Sequence, residues 1–203
     1  MAAQTFLQAL VGVGQYDISA STGEIQAADR KVITREVPNF AGGGFMHRAV
    51  GLIDGSFRVA GWSDFASDAV GQQFSAASLG TQQLAYVATP GSAAGDPCVM
   101  TRGVLSALSL WGGKIGDASP FMLEVTPDAA TVEGFVAAPL AARTTTGNGS
   151  SVTAAGPTAT QRVYAGLQVT SASGTTPSLT VKIQSAPLSN FASPTDRITF
   201  NAA

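Results

Sequence analysis

Residues Ser56–Trp62 read SFRVAGW. Side chains on a pleated strand point alternately to opposite faces, so Phe57 and Val59 fall on one side and Arg58 and Trp62 on the other. That pattern describes a strand with one face in a core and the other towards water. Further along, Val104–Leu110, Phe121–Thr126 and Thr131–Ala137 read as strands too. Ser178–Gln184 (SLTVKIQ) alternates most cleanly, with Leu179, Val181 and Ile183 opposite Ser178, Thr180, Lys182 and Gln184. Arg162–Thr170 (RVYAGLQVT) fits as its hairpin partner, with Ser171–Pro177 (SASGTTP) as the turn between them. Gly and Pro punctuate these runs at the intervals of an antiparallel sandwich or barrel. The expected fold is mainly β, an antiparallel β-sandwich or barrel.

One segment has the other period. In Ser67–Leu79 (SDAVGQQFSAASL), Val70, Phe74 and Ala77 recur at spacings of four and three, which aligns them on one helical face. Ser67 or Asp68 is placed to cap the start, and Gly80 to end the helix in a left-handed conformation. The sequence predicts a single short α-helix here.

Composition narrows the function classes. Of 203 residues 45% are hydrophobic, so a core can form, while charged residues make up only 12%, about half the usual share. A net charge of −2 removes the broad basic face on which nucleic-acid binding normally rests. The single cysteine, Cys98, rules out an internal disulfide framework and a Cys-cluster zinc site, and the single histidine, His47, argues against a His-based metal centre or a Ser-His-Asp system. Met1–Gln15 carries no Lys or Arg, unlike a secretory signal, and its apolar run Phe6–Val13 is too short to span a membrane. It is expected to be a short helix or arm that packs on something. The chain is expected to fold in a reducing cytoplasm with Cys98 a free thiol.

Charge is unevenly spread. Residues 1–70 hold seven acids and five bases, residues 71–140 five acids and two bases, and residues 141–203 one acid and four bases. Where the sign changes lies Arg143–Thr160, RTTTGNGSSVTAAGPTAT, whose one bulky apolar residue is Val152. Such a run cannot bury enough surface to fold alone. The expected division is a β-sandwich core with an N-terminal arm over residues 1–140 and a linker plus C-terminal β-hairpin segment over residues 141–203.

No residue set reaches a catalytic claim. His47 and Cys98 lack a nucleophile context, and the Asp residues show neither calcium-loop nor paired-acid spacing. Ala41–Phe45 (AGGGF) has the glycines of a phosphate cradle without the Lys and Ser/Thr of a P-loop. Trp62, Tyr86 and Trp111 would suit either packing or a sugar platform. No catalytic, cofactor or metal residues are assigned.

A longer pattern is informative. Asp17-Ile18-Ser19, the charged stretch Glu24–Thr34, the block Arg48–Trp62 (RAVGLIDGSFRVAGW), then Asp64-Phe65 and the Ser67 helix, follow in order. This order resembles the start of a tailed-bacteriophage major tail protein, the subunit of the tail tube. Tyr164–Ile183 (YAGLQVTSASGTTPSLTVKI) resembles a hairpin towards the end of such subunits. The resemblance implies a structural virion protein that assembles with copies of itself into six-membered rings, stacked as a tube through which genomic DNA passes without specific binding. It also implies other phage tail proteins as partners, no cofactor, no membrane, and a location in the virion tail after synthesis in the host cytoplasm.

Met1–Gln15 and Asn39–His47 are the candidate reaching elements of that tube. Phe6, Leu7, Leu10, Phe40, Gly43, Phe45 and His47 are the candidate contacts between subunits. Two alternatives stand beside it: a head decoration or other minor virion protein, told apart by its assembled form, and a carbohydrate-binding β-sandwich module, which buried Trp62 and Trp111 would dispose of.

Overall fold

The structure is a computed structural model. It describes residues 8–37, 47–66, 69–75, 78–154, 158, 160–175, 177–186 and 193–201, with the backbone alone at 35–37, 47–53 and 201. The chain is mainly β, with ten strands in antiparallel sheets and one very short helix among the described residues. Phe57 and Val59 point inward and are fully buried, while Arg58 and Trp62 point out, as the alternation requires. They belong to β4 (His47–Trp62), which pairs with β3 (Thr22–Val37) on one side and β7 (Pro120–Pro127) on the other. Beyond β7 follow β6 (Pro97–Ser109), β5 (Gln82–Ala88), β1 (Leu10–Val13) and β2 (Tyr16–Asp17), with β8 (Val132–Phe135) paired to the start of β6.

β2 and β3 form the two margins of this sheet, yet they are consecutive in the chain. Ser19 Oγ accepts the Val11 N–H of β1 at 2.8 Å, and the Ser21 carbonyl accepts the Trp62 N–H of β4 at 3.0 Å. Two residues of chain span about 7 Å at most. The margins are therefore brought together at this end, and the sheet curls into a barrel. Gly61 sits at the seam, where a Cβ would collide with the Ser21 carbonyl and the Gly23 nitrogen. β1, β4, β5, β6, β7 and α1 (Val70–Gln73) with its C-cap Phe74 send residues inward: Val11, Val13, Val59, Val70, Phe74, Val87, Leu105, Phe121, Leu123 and Val125 are all buried, while β3 packs on them through the half-buried Ile25 and Ala28. Phe74 meets Tyr16 edge-on, centroids 5.3 Å apart.

Four expectations are corrected. Leu10–Val13 is neither helix nor arm: it is a strand hydrogen-bonded to β5, with Val11 and Val13 in the core. The helix is a single turn. Ala69 occupies its N-cap position without a side-chain cap, and Phe74 already has extended backbone, φ −109° and ψ 130°. Val70 and Phe74 do reach the core and Gly80 is left-handed at φ +80°, while Ser67, Asp68 and Ala77 lie outside the described residues. Ser178–Gln184 falls largely in β9 (Thr180–Ser185), but its partner is β10 (Thr195–Asn201). Arg162–Thr170, the expected partner, runs without regular pairing as a strap over the outside of the barrel. There Gly166 lies against Leu84 and Met100, and Gln168 is bonded to Gly14, Tyr16 and Tyr86.

Candidate assembly surfaces

The β3–β4 hairpin is much longer than the barrel needs. β7 covers β4 only from Phe57 to Trp62, whereas β4 begins at His47 and remains paired with β3 back to Val37. Lys31–Val37 and His47–Asp54 thus leave the barrel as a two-stranded arm, about 23 Å long at 3.3 Å per residue. Among the described residues, neither flank of this arm has a backbone partner in the same chain. Its base is pinned by Asp29, whose Oδ1 accepts from the Ser56 N–H at 3.0 Å and from Ser56 Oγ at 2.9 Å, and by Arg30 to Glu133 at 3.7 Å. Val32 and Ile33 are exposed on it. Unpaired strand edges are templates for pairing with another chain.

The opposite end of the barrel carries a second exposed apolar surface. β4 runs from the arm to Trp62, which is paired with Pro120. Ser63 ties this end together: its N–H donates to the Ser119 carbonyl and its Oγ to the Leu110 carbonyl, both at 2.7 Å. Trp111 follows Leu110 and is stacked on Phe65, centroids 4.3 Å apart and planes 19° from parallel. Trp62, Phe65, Trp111 and the loop residue Ile115 all face solvent.

The seven sequence-derived contacts divide as follows. Leu10 is half-buried in β1 and lines a shallow depression with Ala9, Pro90, Gly91, Pro139 and Leu140. His47 opens β4 in the arm, with its backbone alone described. Phe6, Leu7, Phe40, Gly43 and Phe45 lie outside the described residues. Sequence reasoning singled out Trp62 and Trp111 but missed Phe65 and Ile115, which no period marks. It also missed the arm's strands, although the charged stretch Glu24–Thr34 lies inside one of them.

The chemistry of reactive groups is subdued. Burial pushes the Cys98 thiol up to about 11, which keeps it protonated and unreactive at neutral pH. Burial, with Asp17 and Cys98 adding to it, pushes the Tyr86 hydroxyl up to about 12. Among the described residues no cluster of His, Cys, Asp or Glu could hold a metal ion, and no helix is long and apolar enough to cross a membrane. Tyr86 lies under the strap, bonded to Gln168, apart from the two exposed tryptophans.

No protein-family model matches the chain, and no curated protein is significantly similar to it in sequence. Solved structures with a similar fold include the sheath/tube terminator of an extracellular contractile injection system, PVC, in its extended state. That likeness has a TM-score of 0.50 at 10% identity and covers 66% of this chain and 98% of the other. A chain of the sheath-tube complex of the same system matches with a TM-score of 0.48 at 12% identity, over 64% of this chain and 89% of that one. The chain is thus similar in fold to a terminator component of a contractile injection machine.

Proposed function

We propose that this protein is a structural tail component that works by touching copies of itself, as a tube subunit whose rings stack around a channel. The β3–β4 arm carries the reading: a long ribbon with no backbone partner on either flank among the described residues extends past the barrel, in position to engage a neighbour. The fold it shares with a sheath/tube terminator supports a role in tail architecture, as does the resemblance of Asp17–Trp62 to tail-tube subunits. A ring of six, other tail proteins as neighbours, a place in the virion, and passage of DNA through the bore belong to this reading. So does the division into a tube-forming core and a C-terminal segment. The acidic first 140 residues would face the channel, where a negative wall does not grip phosphates, and the basic C-terminal segment would lie outside.

Electron microscopy of the purified protein in negative stain tests this. Stacked rings with a central channel are expected. A particle that stays solitary at high concentration overturns the reading, and isolated trimers on a capsid shell would mean a decoration protein.

A carbohydrate-binding module is the second reading, favoured by the solvent exposure of Trp62 and Trp111. Titration with soluble oligosaccharides, followed by tryptophan emission, decides it. A saturable change supports it and a flat response discards it.

A further inference from the structure

The two exposed apolar surfaces stand at opposite ends of one barrel. β4 carries both: it leaves the arm near Asp54, crosses the barrel wall and finishes at Trp62. At the arm end, Val32 and Ile33 are 46% and 40% exposed. They are adjacent on β3, so alternation along the strand offers apolar surface on both faces of the ribbon. At the far end, Trp62 is 60% exposed, Trp111 76% and Phe65 36%, while Ile115 stands fully in solvent. An isolated exposed apolar residue is ordinary, but two tryptophans, a stacked phenylalanine and a protruding isoleucine at one end are characteristic of a contact surface.

Charge selects the occupant. The sequence of the arm carries Lys31, Arg35 and Arg48 against Glu36 and Asp54, and the aromatic end carries Asp64 and Asp117 against Lys114. In formal charge the arm's sequence is net positive and that of the aromatic end net negative, which favours contact between unlike ends over contact between like ones. We infer that the aromatic end, Trp62, Phe65, Trp111 and Ile115, receives the β3–β4 arm of a second copy of this chain. This rests on the self-assembly reading and names the surface that reading leaves open. The contact is heterologous: the surface used on one copy differs from that used on the next, so each copy retains a free arm or a free aromatic end for another.

The test compares the intact chain with Trp62→Ser/Trp111→Ser and with Val32→Ser/Ile33→Ser by sedimentation and electron microscopy. Circular dichroism verifies that the exposed-site variants remain folded. Both variants are expected to need at least tenfold more protein than the intact chain to form stacks, leaving single rings or monomers below that. In a Cys98→Ala background, Ile33→Cys and Ile115→Cys chains, prepared separately and mixed under mild oxidation, are expected to give a disulfide-linked dimer that neither gives alone. Tryptophan variants that stack like the intact chain, or stacks in which the mixed cysteines never join, overturn the inference while leaving self-assembly standing. An intact chain that never associates overturns both. Tryptophan emission that responds to an oligosaccharide and not to protein concentration also overturns it.

Discussion

Tyr86 and Gln168, 82 residues apart in the chain, meet on the outside of the barrel, where the tyrosine hydroxyl donates to Gln168 Oε1. The same amide donates through Nε2 to the Gly14 carbonyl at 3.1 Å and the Tyr16 carbonyl at 3.0 Å. One side chain thus ties the strap to the β1–β2 turn and to β5. Gln168→Ala leaves three polar groups without this partner and is expected to cost about 1–3 kcal/mol. Urea unfolding measures the loss. Limited proteolysis should show cleavage within residues 141–175 before the barrel is cut.

Tyr86 and Cys98 give stability an alkaline limit. Their folded pKa values of about 12 and about 11 lie above the ordinary ones, near 10 and 8.5. The folded chain therefore keeps protons that the unfolded chain releases. Stability from these two groups is complete below pH ~8.5 and declines as pH rises towards 12. Chemical denaturation across that range checks the slope, and Tyr86→Phe with Cys98→Ala should flatten it. At pH 8 the native Cys98 should alkylate on the order of 100-fold more slowly than a free thiol.

β1 belongs to the core, so removing Met1–Gln15 is expected to unfold the chain rather than yield a folded monomer. Val13→Asp isolates the cause, because it puts an unpaired carboxylate at a fully buried position on β1, a cost of at least ~3 kcal/mol. Circular dichroism and the thermal transition report the outcome. A cooperative transition at the wild-type temperature would contradict the place given to β1.

Gly61 and Gly134 form a matched pair. A Cβ at Gly61 would run into the backbone at Ser21 and Gly23 across the seam, and a Cβ at Gly134 meets nothing within 4 Å. Gly61→Ala is expected to cost at least ~2 kcal/mol, because backbone must move to admit it. Gly134→Ala should stay within about 0.5 kcal/mol of the parent. Denaturant midpoints measured side by side decide the comparison.

The residues themselves explain how much of this could be read in advance. SFRVAGW at 56–62 was legible because its two faces meet different surroundings, core on one side and the Arg58–Glu124 pair on the other, with Arg58 Nε 3.0 Å from Glu124 Oε2. β3 was not, since Lys31–Thr34, where it enters the arm, are all exposed and carry no alternation for burial to impose. LVGV at 10–13 is too short for any period to show. RVYAGLQVT at 162–170 has strand-forming residues, yet its anchor is a glutamine amide that seeks carbonyls on other segments, and propensity is blind to such a distant partner. Val70 and Phe74 revealed a helical spacing, but the backbone needs only one turn to deliver both to the core. Trp62 and Trp111 could be singled out from the sequence, while their neighbours Phe65 and Ile115 emerge only when the chain ends of β4 and β6 are brought together by Ser63.

A molecule that presents a ribbon at one end and aromatic rings at the other is an arrow, with a head unlike its tail. Any column built by repeating it along its strands inherits that direction and finishes in two chemically distinct tips. Growth from one tip is a different reaction from growth at the other, and nothing within the repeat tells the column when to stop. In such a column, length would be set from outside the repeat, by something that recognises one tip and ignores its counterpart.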